Sequence, residues 1–187
     1  METTTYQSWI DKGYESFALS GSQGITVQKL ARTMGTSKSS FYHHFGDQQT
    51  FIETLLDEHQ DRTETFGSEA RQCKTLVPDF VELIIKYKSV ILFQRNLRRQ
   101  RKNLDFQLAY LRAEDVVARE ILDVWANYMV VQSDISVAKS LYIVTRDVFY
   151  ERVSDELFTP EWITRLIDEI KGIVQKLVAR RRSPVHQ

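Results

Sequence analysis

The stretch of sequence that decides the fold is residues 26–45, which read TVQKLARTMGTSKSSFYHHF. Thr26 precedes apolar residues at helical spacing, and its hydroxyl can cap the free amides at a helix start. Gly35 ends this first helix because glycine adopts the backbone angles of a tight turn, and Ser37 can cap a second helix. Two short helices joined by a glycine-containing turn of about four residues are typical of the helix-turn-helix that reads DNA.

The second of these helices has the two faces that binding in a major groove requires. Phe41 and Phe45 are four residues apart and share a face that can be buried. The small or polar side chains that can enter the groove are Lys38, Ser39 and Ser40. The side chains that can donate to phosphate oxygens are Tyr42, His43 and His44. The alternative interpretation is a plain helical bundle that contains one short helix by accident.

Outward from this stretch, helical periodicity continues in both directions along the chain. Apolar residues predict an amphipathic helix over residues 6–19, and Asp47 caps a longer helix after the motif. Residues 60–74 are polar and poor in apolar anchors, so we place a domain boundary there. Further helices are predicted over residues 78–92, 105–131, 134–149 and 159–182. The sequence therefore predicts an all-α protein with two domains, residues 1–60 and 61–187.

Composition argues against several classes of protein. The chain has 187 residues with 25 basic and 25 acidic side chains, so no bulk charge attracts it to nucleic acid or to a membrane. Its one cysteine, Cys73, cannot form an intramolecular disulfide, which fits a reducing cytoplasm. No run of 18 apolar residues occurs, and the first five residues contain neither a basic nor an apolar region. We therefore expect neither a membrane span nor a secretory signal.

Metal and catalytic sites have little support in the sequence. The four histidines, which are His43, His44, His59 and His186, occur in neither a Glu-x-x-His nor a His-x-x-x-His pattern. Phosphate loops, dinucleotide fingerprints and the nucleophile elbow have no counterpart either. We therefore expect no metal, no cofactor and no enzymatic activity.

Several further residues complete a recognisable pattern around the motif. The residues of this pattern are Phe17, Gly21, Thr26, Leu30, Ala31, Gly35, Ser37, Phe51 and the block FYHHF at residues 41–45. Because of these residues, the segment 6–60 resembles the DNA-binding domain of the TetR family of transcriptional regulators. The rest of the chain is similar to that family in length and in helical character alone.

The resemblance implies a role in DNA binding for several residues of the motif. Thr26 and Ser37 would bind backbone phosphates at helix starts, where free amides and the helix dipole favour anions. The residues expected at base edges are Lys38, Ser39 and His43. The residues expected at phosphates are Tyr42 and His44. The predicted DNA-binding set also includes Thr36, Ser40 and Gln48.

The N-terminal domain departs from the family pattern in its charge. Gln48 stands where the family usually has a lysine that contacts phosphate, and Ser39 replaces a common glycine. Residues 1–60 contain four basic and seven acidic side chains, a net charge of −3. This domain is acidic for a DNA reader, because neutralising phosphates takes positive charge.

The last predicted helix contains apolar residues at alternating spacings of four and three. These residues are Ile163, Ile167, Ile170, Val174 and Leu177. Such a seam packs against another helix, and the resemblance implies that it forms a two-fold four-helix dimer interface. Burial within the core of the monomer is the alternative. In the same domain, the aromatic residues expected to line an effector pocket are Tyr110, Trp125 and Tyr128.

Five basic residues without an intervening acid lie between Gln94 and Asn103, namely Arg95, Arg98, Arg99, Arg101 and Lys102. The sequence predicts a solvated helix end here, with a bound anion or an acidic partner as the alternative.

The predicted function is that of a ligand-responsive transcriptional regulator. It is expected to repress transcription by binding a palindromic operator in double-stranded DNA as a homodimer, and to be released by a small-molecule effector. The alternative is a helical interaction or ligand-carrying protein that has lost operator binding, for which Gln48 and the acidic N-terminal domain are the indications.

Overall fold

The computed structural model describes residues 5–182 of the chain and the side chains of residues 5–177. This part of the chain forms nine α-helices and no strand, which confirms the all-α prediction. The helices are α1 (Tyr6–Ser20), α2 (Val27–Thr33), α3 (Lys38–Phe45), α4 (Gln48–Ala70), α5 (Val81–Lys86), α6 (Lys88–Arg99), α7 (Leu104–Met129), α8 (Ile135–Arg152) and α9 (Pro160–Arg182). A 3-10 turn, Gly21–Gly24, joins α1 to α2, and a π-helical turn, Leu76–Phe80, precedes α5. Over residues 5–182, none of the helices has the length and apolar composition needed to cross a membrane.

Side-chain caps begin the helices at several of the predicted positions. Thr26, Ser37, Asp134 and Thr159 each accept a hydrogen bond from an amide in the first turn of the helix that follows. These bonds satisfy donors that have no partner within the helix. The predicted starts of α2, α3, α8 and α9 are therefore confirmed.

The single helix predicted over residues 78–92 is wrong. The backbone of Tyr87 has φ −100° and ψ 30°, which ends α5, and α6 then continues as far as Arg99. The prediction of a solvated helix end is also wrong for Arg95, whose side chain is only 6% exposed. Its neighbours Gln94 and Asn96 are buried as well, because both make hydrogen bonds to other helices.

Packing divides the chain into two compact units. The first contains the chain up to Thr65 together with Lys88–Val116. In this unit α1 packs along α6, so a helix distant in sequence joins the helix-turn-helix. The large aromatic side chains buried in its core are Trp9, Tyr14, Phe17, Phe41, Phe51 and Phe93.

The second unit contains Phe66–Tyr87 and the chain from Val117 onward. Here α9 contacts both α5 and α8, and the ring of Trp125 meets that of Tyr142 edge-on at 5.6 Å between centroids. The two units are defined by packing, whereas the predicted boundary was placed in residues 60–74 because they are polar and poor in apolar anchors. The division of roles between residues 1–60 and 61–187 stays a prediction.

Candidate nucleic-acid interface

The turn between α2 and α3 depends on the backbone of one glycine. Gly35 has a φ of +63°, a left-handed angle that favours glycine. The Thr36 amide donates to the Ala31 carbonyl at 3.0 Å, which satisfies an acceptor at the end of α2. A Cβ at Gly35 would meet no other atom within 4 Å, so the backbone angle rather than crowding requires glycine here.

Aromatic rings fix the orientation of α3. Phe41 is fully buried, and its ring lies 5.3 Å from that of Trp9 in α1 and 5.1 Å from that of Phe51 in α4. Phe45 lies 4.8 Å from Phe51, and the ring of Tyr6 stacks on Phe45 at 4.9 Å. Rotation of α3 about its axis would break these contacts. The opposite face of α3 is therefore held outward in one orientation.

The outward face of α3 and the ends of its neighbours contain the predicted DNA-binding residues. The exposed members of the set are Ser37, Lys38, Ser39, Tyr42, His43 and Gln48. The half-buried members are Thr26, Thr36, Ser40 and His44. The ring of His44 is partly covered because it meets the edge of the Tyr6 ring at 6.2 Å. Sequence analysis did not include Tyr6, whose aromatic ring in the first turn of α1 covers this part of α3.

The hydroxyls that cap α2 and α3 can each make two hydrogen bonds, one within the protein and one to DNA. Thr26 Oγ1 accepts from the Lys29 amide at 3.4 Å, and Ser37 Oγ accepts from the Ser40 amide at 3.2 Å. Each hydroxyl keeps its hydrogen for donation, because a hydroxyl is donor and acceptor at once. Each can therefore donate to a phosphate while its own oxygen still caps the helix.

The start of α4 carries negative charge. Asp47 Oδ1 accepts from the Thr50 amide at 2.8 Å, and this hydrogen bond lowers the pKa of Asp47 below its usual value. The carboxylate is therefore ionised at neutral pH, beside the uncharged Gln48. Positive charge for binding phosphate must come from elsewhere in the protein.

A chain of buried polar groups connects α1, α4, α6 and α7 within the first unit. Tyr14 Oη lies 2.8 Å from His59 Nδ1, and His59 Nε2 lies 2.9 Å from Gln94 Oε1. Gln94 Nε2 then donates to the Tyr110 carbonyl at 2.9 Å and to Glu114 Oε1 at 2.8 Å. Because an amide oxygen can only accept, His59 Nε2 carries the ring hydrogen and Nδ1 accepts from Tyr14.

Burial decides the ionisation of this network. It lowers the pKa of His59 to about 4 and raises the pKa of the Tyr14 hydroxyl, so both groups are neutral at pH 7. Sequence analysis missed the network. The signal in the sequence was Gln94, a polar residue directly after the apolar run that ends in Phe93.

The predicted pocket aromatics belong to different units. Tyr110 is a buried residue of the first unit, while Trp125 and Tyr128 belong to the second. Tyr128 Oη donates to Asp168 Oδ1 at 2.6 Å, and Lys171 Nζ lies 3.9 Å from the centre of the Tyr128 ring. A surface cleft of about 440 Å³ in the second unit is lined by residues at the end of α4 and in α5, and none of the three aromatics lines it.

The apolar seam predicted on α9 faces mainly into the monomer. Ile163, Ile170 and Val174 are buried within the chain itself, and Ile167 is half-buried. Leu177 is exposed. Other large apolar side chains are exposed on α8 and α9, namely Ile135, Ile143, Val144, Val148 and Ile173.

Comparison with known proteins identifies the N-terminal helices. Residues 10–55, from α1 into α4, match the family described as "Bacterial regulatory proteins, tetR family". Neither the curated proteins nor the solved structures compared with the chain include a match. The matched residues contain the turn at Gly35 and the whole of α3.

Proposed function

We propose that this chain is a DNA-binding transcriptional regulator of the TetR family, and that it is a homodimeric repressor that releases its operator when a small molecule binds. The family match over residues 10–55 supports the first part. The observation that carries the proposal is the outward face of α3. Phe41 and Phe45 are buried against α1 and α4, so Lys38 and Tyr42 are presented in a fixed direction. A short helix held in this way can enter a major groove with little loss of freedom on binding.

Within this proposal, the residues of the interface divide between two roles. Those that contact base edges are Lys38, Ser39 and His43. Those that contact phosphates are Thr26, Ser37, Tyr42 and His44, with Thr36, Ser40 and Gln48 at the margins. Phosphate contacts set the register of α3 in the groove, and base contacts select the sequence.

Support for the dimer comes from the exposed apolar residues of the second unit. Ile143 and Val144 on α8 and Ile173 and Leu177 on α9 are large apolar side chains with about half of their surface exposed. Exposed apolar surface of this kind is typical of protein interfaces. A two-fold dimer would place two copies of α3 about one helical turn of DNA apart, roughly 34 Å, which fits a palindromic operator.

Release by an effector requires two conformations of the dimer. The effector must bind more tightly to the one in which the two α3 helices no longer match successive grooves. Trp125 and Tyr128, with an indole and a phenol group, are our candidates for contacts to an apolar effector that carries a few polar groups.

Operator selection tests the proposal. The full chain is mixed with genomic DNA fragments at two salt concentrations, and bound fragments are sequenced. We expect a small set of fragments with a palindromic site, bound by two copies of the chain. A Lys38→Ala, Tyr42→Phe double variant is the control, because both side chains are exposed and their loss leaves the fold intact.

The competing function is a helical interaction or carrier protein that no longer binds an operator. The net charge of −3 over residues 1–60 and the ionised Asp47 favour it. If no fragment exceeds random competitor DNA at either salt concentration, this second function is the correct one.

A further inference from the structure

Three exposed cations lie at the connection between α6 and α7. Arg99 is the last residue of α6, and Arg101 and Lys102 lie in the turn that follows. We call these three residues the basic turn. Among the described residues, none of the three forms an ion pair or a side-chain hydrogen bond. Their charge is therefore available to a partner.

Hydrogen bonds fix this connection against the end of α1. Asn96 Nδ2 donates to the carbonyl oxygens of Phe17 at 2.8 Å and Ala18 at 2.7 Å, both in the last turn of α1. The Ser22 amide donates to Gln100 Oε1 at 3.3 Å. Gln100 lies between Arg99 and Arg101 in sequence, so the basic turn is attached directly to the connection between α1 and α2.

That connection leads to the DNA-binding motif and contains no acid. Residues 20–26 are all uncharged and end at Thr26, the cap of α2. Lys29 Nζ donates to the Gln23 carbonyl at 2.7 Å, which brings a further cation to the same connection. The nearest preceding acid in α1 is Glu15, and it is paired with Lys12 at 3.1 Å. The connection between the motif and the basic turn therefore carries no negative charge.

We propose that the basic turn binds the phosphate backbone of the operator DNA beside the groove that α3 enters. The inference rests on the proposed DNA-binding function and adds a second contact region to it. It supplies the cations that are scarce in residues 1–60, whose net charge is −3. Asp47 lies directly before α4, which begins with the uncharged Gln48. Phosphate contacts require positive charge at a fixed position and no base recognition, which three exposed cations on an anchored turn provide.

The test removes the three charges and measures the salt dependence of DNA binding. The variant is Arg99→Gln, Arg101→Gln, Lys102→Gln in the full chain, and the probes are a selected operator fragment and a random duplex of equal length. The matched control is Arg112→Gln, Lys139→Gln, Arg165→Gln, which removes three exposed cations outside the basic turn. Both variants lose three positive charges, so a difference between them reports the position of those charges and not the net charge of the protein.

The expected result is a smaller slope of log affinity against log salt for the basic-turn variant alone. Each lost phosphate contact reduces the slope by roughly 0.9. Affinity for both duplexes should fall by the same factor, on the order of tenfold or more at 0.15 M salt, with their ratio unchanged. The conservative variant Arg99→Lys, Arg101→Lys keeps the charge and should keep the slope.

Two results would overturn the inference. If wild-type protein selects an operator and the basic-turn variant has the same slope of log affinity against log salt, the phosphate contact is refuted and the regulator function stands. If the basic-turn variant binds vesicles of anionic lipid less tightly than wild type while its DNA binding is unchanged, the basic turn contacts a membrane surface instead. Wild-type protein that binds no operator at all refutes the proposed function itself, so the two failures are distinguishable.

Discussion

The hydroxyl of Tyr14 lies 2.8 Å from Nδ1 of His59, although 45 residues separate them in sequence. Both side chains are buried, and Gln94 holds the other ring nitrogen of His59 at 2.9 Å. The neutral ring with its hydrogen on Nε2 satisfies both of these contacts. Protonation of Nδ1 would place a positive charge in a buried site, which burial disfavours.

Stability of the protein should depend on the ionisation of His59. Burial lowers its pKa from the ordinary value of 6.5 to about 4, so the unfolded chain takes up a proton at a higher pH than the folded one. Stability contributed by neutral His59 is complete above pH 6.5 and is lost as the pH falls towards 4. This loss amounts to about 2 kcal/mol by pH 5. Urea denaturation of wild type and His59→Gln at pH 7 and pH 5 measures it.

The His59→Gln variant controls for the other acid-sensitive groups. Because a glutamine side chain does not titrate, the free energy of unfolding of this variant should fall less than that of wild type between the two pH values. An equal fall in both proteins would show that carboxylates, and not His59, cause the acid sensitivity.

Two helical glycines should respond to alanine with opposite signs. A Cβ on Gly13 in α1 would collide with the ring of Phe51, which is fully buried, so Gly13→Ala should destabilise the protein by about 1–3 kcal/mol. A Cβ on Gly172 in α9 would meet nothing within 4 Å, so Gly172→Ala should stabilise it by roughly 0.5–1 kcal/mol. Denaturation midpoints of the two variants check the signs, and a gain in stability from Gly13→Ala would contradict the packing of α1 on α4.

Two isoleucines three residues apart on α9 should separate folding from dimerisation. Ile170 is 8% exposed, so Ile170→Glu buries an unpaired charge and should cost about 3–5 kcal/mol of folding free energy. Ile173 is 53% exposed, so Ile173→Glu should leave the monomer folded and weaken association. Sedimentation together with circular dichroism distinguishes these outcomes. A folded dimer of the Ile173 variant would move the interface away from this face of α9.

Two substitutions on α3 should have different effects on DNA binding. Lys38→Ala removes a proposed base contact and should cost about 1–3 kcal/mol at one position of each half-site, with relaxed preference there. Tyr42→Phe removes one proposed phosphate donor and should weaken binding to all sequences alike. Competition assays against single-base operator variants measure both effects, and a change of sequence preference in the Tyr42 variant would reverse the assigned roles.

Local signals were sufficient for much of the fold and for the candidate site. Caps at Thr26, Ser37 and Asp134 lie beside the residues that they cap, so the chain near each one contains all that the helix start needs. The four-residue spacing of Phe41 and Phe45 likewise determines which face of α3 is apolar. For this reason the helix-turn-helix could be predicted from residues 26–45 alone.

Contacts between distant residues decided the rest. The sequence predicts that a polar run in α6 is solvated, yet Asn96 is buried and its side-chain amide donates to the carbonyls of Phe17 and Ala18 in α1. Both Ile170 and Ile173 fit the apolar spacing of α9, but this spacing does not show which of them is buried within the monomer. Helical spacing is a property of the local chain, whereas burial depends on which other helix packs against each face. The sequence by itself therefore determined the motif and most of the helices, and only the tertiary structure decided where α5 ends, which polar groups are buried and which apolar residues are exposed.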